Sequence, residues 1–155
     1  MGEVLFYHLT QTPLERTLPE LLERSVARDW RVVVRSGAAE RLAALDTHLW
    51  TYREDSFLAH GTAEMGHAAA QPIYLTAGEE VPNAADILML VDGARLRTEE
   101  VESFTRVVLL FDGHDEGIVG AARDDWRAVT ASGAMATYWA QEDGRWIKRA
   151  ESKPD

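Results

Sequence analysis

Residues 106–111 (RVVLLF) place Val107, Val108, Leu109, Leu110 and Phe111 in one run with no alternation. A strand with one wet face alternates apolar and polar residues. An unbroken run belongs to a strand covered on both faces, inside a sheet packed between helical layers. The segment after it, residues 112–117 (DGHDEG), combines glycines with acids, which is turn chemistry. A helix is expected from about Glu116 to Thr130, with Asp115 as N-cap and acids in its first turn. Ile118, Ala122 and Val129 recur at helical spacing and are expected to face the sheet. Val119, Arg123, Trp126 and Arg127 form a second stripe, since residues three and four apart are helix neighbours. That stripe sets two guanidinium groups beside an indole at the carboxyl end of a strand, where open α/β sheets hold their ligands.

The other segments extend this pattern. Residues 4–9 (VLFYHL) read as the first strand, and Thr12-Pro13 followed by Glu15 is a helix start. Pro19 falls inside the helical run and predicts a kink or a restart, because Thr17-Leu18-Pro19-Glu20 repeats the cap signature. Asp29 follows the helix in a position that often takes the left-handed region. Strands are expected at residues 31–35, 71–76, 86–92 and 134–141, and helices from Ala38 to about Trp50 and over 98–103. Residues 52–70 show no periodicity and read as an irregular loop. The chain from Glu142 onward is polar and is expected to fray past Arg149. Strands alternating with helices indicate an α/β class: a Rossmann-like three-layer fold, mainly parallel, with helices on both faces. One domain over residues 1–150 with a polar tail at 151–155 is expected.

Composition narrows the function. The net charge of −10 sets 26 acids against 16 Lys and Arg, so a large direct nucleic-acid footprint is disfavoured. No basic groove interleaved with aromatics is evident along the chain. No apolar run nears the roughly 20 residues of a membrane span, and no secretory leader is evident, so a cytoplasmic location is expected. The absence of cysteine excludes disulfides and thiolate metal sites. The turn after the first strand reads HLTQTPLE rather than G-x-G-x-x-G, and neither a P-loop nor G-x-S-x-G occurs. Without a Gly-rich turn the backbone cannot approach a pyrophosphate, so no nucleotide cofactor is expected. Asp112, His114, Asp115 and Glu116 read as a hydrated turn rather than a metal site. A small Rossmann-like hydrolase using His114 and Asp112 is the enzymatic alternative, and an orphan interaction domain is another. His8, His48, His60 and His67 are scattered. Arg123 and Arg127 either pair with Asp124, Asp125 or Glu116, or face a ligand. Trp50 and Phe57 flank the polar segment TYREDS, either as interface anchors or packed under the loop.

The order of several segments resembles the chi subunit family of bacterial DNA polymerase III. The resembling stretches are VLFYHL, ARDWRVVVRSG, ERLAALDTHLW with EDSFLAHG, ADILMLVDG, and FTRVVLLFD with AARDDWRAVTASG. Together they cover nearly the whole chain. The resemblance implies a non-catalytic accessory subunit of the clamp-loader complex, on a Rossmann-like fold without nucleotide. It implies two protein partners: the psi subunit of the clamp loader, and the acidic C-terminal tail of the single-stranded DNA-binding protein, which ends in Pro-Phe. The family's tail site maps onto Arg123, with Trp126 and Arg127 beside it and Phe111 and Val119 as its apolar side. Val119 stands where some relatives carry a basic residue. The psi-facing site maps onto Trp50 and Phe57, a surface that a repair helicase shares in the family. Contact with nucleic acid is then indirect, and no cofactor, metal or membrane is implied.

Overall fold

The computed structural model describes residues 2–52 and 59–153. Strand β1 (Glu3–Leu9) leads to helix α1 (Leu14–Ala27), then β2 (Val32–Ser36). A 3-10 turn at Ala39–Arg41 opens into α2 (Leu42–Thr51), so the expected helix from Ala38 begins as a tighter turn. The expected irregular stretch carries a short strand, β3 (Gly61–Thr62), and 3-10 turns at Ala63–Met65 and Ala68–Ala70. There follow β4 (Ile73–Thr76), β5 (Ile87–Val91), a 3-10 helix at Thr98–Ser103, β6 (Arg106–Asp112), α3 (Glu116–Ala131), β7 (Met135–Glu142) and β8 (Arg145–Ser152).

The described residues make an eight-stranded sheet in the order β3-β4-β2-β5-β6-β1-β7-β8. Every neighbouring pair is parallel except β7 and β8. The unalternating runs now have their reason. Successive side chains on a strand point to opposite faces, and here both faces are covered. Ile87 and Met89 pack with Leu18, Leu22, Leu45 and Leu49 of α1 and α2. Leu88 and Leu90 pack with Val119, Ala122 and Val129 of α3. Each fully buried Leu or Val contributes about 1.5–3 kcal/mol against exposure. No helix among the described residues is long and apolar enough to cross a membrane.

Two sequence expectations are corrected. Of the kink or restart expected at Pro19, the restart does not occur: helix α1 continues from Leu14 to Ala27 through Pro19. Proline has no N–H to bond the carbonyl four residues back, so the Glu15 carbonyl is released. The His48 ring reaches across from α2 and its Nε2 takes that carbonyl, so His48 joins two helices. The polar tail is the second correction. Glu142 pairs with Arg145 across Asp143 and Gly144, whose φ values are +51° and +74°. A two-residue Asp-Gly loop with both residues left-handed is the hairpin turn that matches strand twist. The segment therefore returns as edge strand β8 rather than fraying, and Glu142–Arg149 and Lys148–Glu151 ion pairs line it.

Strand β1 continues through α1 to β2 over one face. Strand β6 continues through α3 to β7 over the other. Their carboxyl ends therefore diverge, which makes a topological switch point. The cleft there encloses about 610 Å3 between the loops that follow β1, β5 and β6.

Candidate functional site

Helix α3 is fixed at both its start and its middle. The Asp115 side chain accepts the Ile118 N–H at 3.1 Å, the N-cap expected from sequence. Further along the helix, the buried Asp125 carboxylate accepts from Arg95 Nη2 at 2.7 Å and from the Leu96 N–H at 3.2 Å, tying α3 to the loop after β5. The helix buries Val119, Ala122, Asp125 and Val129. Val119 therefore belongs to the sheet-facing stripe, whereas Ile118 is only half-buried and lines the switch-point cleft.

Arg123 and Arg127 are both exposed, and they differ in their partners. Arg127 pairs with Asp124 at 2.9 Å. Arg123 has no ion pair among the described residues. Beside it lies an aromatic group built from four elements. Trp126 packs edge-on against Phe6 and Tyr138, with centroids 5.3 Å and 5.8 Å away. His8 lies 5.1 Å from Phe111, and its Nδ1 is 2.8 Å from the Tyr138 hydroxyl. Burial lowers the His8 pKa, and the Arg123 charge lowers it further. Burial raises the Tyr138 pKa, against the opposing pull of Arg123. Gly113 allows this approach, because a Cβ there would stand 2.4 Å from the His8 ring.

The structure thus brings Phe111, Val119, Arg123 and Trp126 to one side of the sheet. Phe111 and Val119 are buried there, in the core cluster against which Trp126 packs. Sequence reasoning missed His8 and Tyr138. Phe6 and His8 are two apart on a strand, and that spacing puts both rings on one face.

Trp50 lies elsewhere, on α2. It is 39% exposed and tilts over the His60 ring at 4.2 Å, while Leu45 and Leu49 bury the opposite side of its helix. Phe57 lies outside the described residues, so its relation to Trp50 is not described. At the switch point, His114 Nε2 is 2.9 Å from the Thr10 carbonyl oxygen, and the Asp112 carboxylate accepts the His114 backbone N–H at 2.9 Å. His114 therefore donates through Nε2, which leaves Nδ1 as the lone-pair nitrogen, and the hydrogen bond between Asp112 and His114 is to the backbone rather than to the ring. Among the described residues, no group of three or more His, Asp or Glu side chains is arranged to hold a metal ion.

Comparison with known proteins gives two findings. The family model described as DNA polymerase III chi subunit, HolC, matches residues 1–137. A protein of Rickettsia prowazekii (strain Madrid E), named probable DNA polymerase III subunit chi, is 26% identical over 117 residues, covering 72% of this chain and 71% of its own. The residues matched by the family model include Arg123 and Trp126, and they end inside β7.

Proposed function

This chain belongs to the DNA polymerase III chi subunit family, and from that premise we propose that it is a non-catalytic bridge within the replication complex. One end of the bridge is the C-terminal tail of the single-stranded DNA-binding protein, held at Arg123, Trp126 and Arg127 over Phe111 and Val119. The other end is the psi subunit of the clamp loader, held at Trp50 and Phe57, a surface that a repair helicase shares. Contact with DNA is then indirect, and the site of action is the cytoplasm.

One observation carries the tail site: Arg123 is an exposed cation without a carboxylate partner among the described residues, and it borders a half-buried indole. A peptide ending in an aromatic residue and a free carboxylate needs those two features. A guanidinium binds a carboxylate through paired N–H donors, and an indole edge covers the ring. The test is a titration of a labelled peptide ending in Asp-Phe-Pro-Phe, followed by anisotropy. Saturable binding that is lost when the terminal carboxylate is amidated is the expected result. Equal binding of the free and amidated peptides would refute the site.

A further inference from the structure

The opposite face of the sheet carries a second cationic site that the proposed bridge does not use. Near the amino ends of β1, β5 and β6, alongside the last turns of α1, lies a cavity of about 120 Å3. Leu5, Leu21, Ile87, Met89 and Val108 form its apolar part. Its rim is basic. The Arg28 guanidinium lies over the Trp30 ring at 4.9 Å from the centroid, and that of Arg106 at 5.3 Å. Arg106 is bonded to Glu3 at 2.8 Å. Arg24 and Arg28 are exposed, and neither meets a carboxylate among the described residues. Sequence periodicity could not display this groove, because its parts come from a helix, a loop and three strands.

Arg24 and Arg28 thus give the rim two guanidiniums that meet no carboxylate among the described residues, on a chain with a net charge of −10. Arg24 and Arg28 are four apart at the end of one helix and so repel each other. With 26 acids in the chain, that juxtaposition asks for an external anion. We propose that this groove docks an acidic peptide segment of a partner protein, with one bulky apolar side chain in the cavity and flanking carboxylates on Arg24 and Arg28.

The geometry separates this occupant from single-stranded nucleic acid. A base binds such proteins by stacking on an open aromatic face, and here two guanidiniums already lie over Trp30. The aliphatic part of the lining suits Leu or Phe; its hydroxyl-bearing side chains are Tyr7 and Ser25, and Ser25 Oγ already donates to the Leu21 carbonyl at 2.9 Å. A polyanionic strand would also meet the acidic remainder of the surface, whereas a short acidic peptide engages only the rim.

The probe is a labelled peptide, acetylated and amidated, of sequence Asp-Glu-Leu-Phe-Glu-Asp. It has no terminal carboxylate, so it does not meet the requirement of the Arg123 site, and the two proposals fail separately. The expected result is saturable binding that weakens as salt rises. The double variant Arg24→Glu, Arg28→Glu should weaken it by about tenfold or more, the loss expected from charge-assisted hydrogen bonds. Arg123→Ala should leave it unchanged. Replacing Leu-Phe in the peptide by Gly-Gly should remove it. Amide shift perturbation on the wild-type protein gives an independent map, expected around residues 24–30 and 106. No saturation up to roughly 1 mM, perturbations centred elsewhere, undiminished binding by the double variant, or tighter binding of oligo-dT at the same residues would each overturn the proposal.

Discussion

The carboxamide of Gln141 grips Thr12 on both of its atoms: Oε1 accepts the Thr12 backbone N–H at 3.2 Å, and Nε2 donates to Thr12 Oγ1 at 2.6 Å. The same Oε1 accepts the N–H groups of Thr10 and Gln11, each at 2.9 Å. Three consecutive donors after the first strand thus converge on a side chain from β7. Such converging N–H groups form an anion-binding nest, and here the chain supplies its own oxygen. Gln141→Ala should leave these donors to water alone, at a cost of about 2 kcal/mol, or roughly 4–8 °C in Tm. Gln141→Glu keeps an acceptor and should hold stability at neutral pH. It should lose stability as pH falls below about 4.3, where the carboxyl protonates in the unfolded chain first. Thermal melts of both variants check this; an unchanged Tm for Gln141→Ala would show that the grip contributes nothing.

His8 reports on Arg123. Burial, then the Arg123 charge, hold the His8 pKa below the ordinary imidazole value, and a hydrogen bond at the Gly113 backbone opposes them. Above about pH 6.5 both folded and unfolded chains carry His8 neutral. As pH falls, the unfolded chain binds the proton first, so stability drops until the folded His8 also titrates. Arg123→Ala should raise the His8 pKa, and so should a carboxylate ligand seated on Arg123. Following the His8 ring resonance against pH decides it. A midpoint that is the same in wild type and Arg123→Ala would mean that the two groups do not interact.

The parallel core was legible in the sequence because strands such as 87–91 and 107–111 bury both faces, and a short unbroken apolar run bounded by turn residues fits that setting best. Asp115 was legible because capping is local. Strand β8 was not read, since an edge strand with polar alternation lacks that run; Asp143-Gly144 was the available signal. On α3 the sequence places Ala122 and Val129 on the sheet-facing side, and both are buried there. Val119 joins them, while Ile118, about 100° away round the helix, packs only partly against the same core, a difference that periodicity alone does not resolve. The aromatic group of Phe6, His8, Phe111 and Tyr138 depends on β1 lying between β6 and β7, a sheet order that no local spacing encodes.

Trp50 stands 39% exposed against His60, and the proposed psi surface rests on it and Phe57. Trp50→Ala should weaken capture of psi by about tenfold or more, the loss typical of an aromatic hot spot, and leave tail-peptide binding unchanged. Phe57→Ala should act in the same direction. Co-purification with psi and a thermal melt on the same samples separate two causes of loss. A large drop in Tm without selective loss of psi would place Trp50 in the fold rather than the interface.

Arg123 and Arg127 are one turn apart and should behave differently. Arg127 already shares its charge with Asp124 in an exposed pair, so Arg127→Ala removes a neutralised cation. Its expected effect on tail binding is small. Arg123 has no such partner among the described residues, so Arg123→Ala removes a charge-assisted contact of about 1.5–3 kcal/mol, or roughly tenfold or more in affinity. Thermal stability should barely move, because an exposed helical arginine contributes little to folding. Asp124→Asn then becomes the informative third variant. It releases Arg127 from its pair and should tighten tail binding at low salt, with the gain shrinking as salt rises. Peptide titrations of the three variants at two salt concentrations test the order. Equal losses for Arg123→Ala and Arg127→Ala would mean that the tail reads the summed field of the helix and not the unpaired guanidinium.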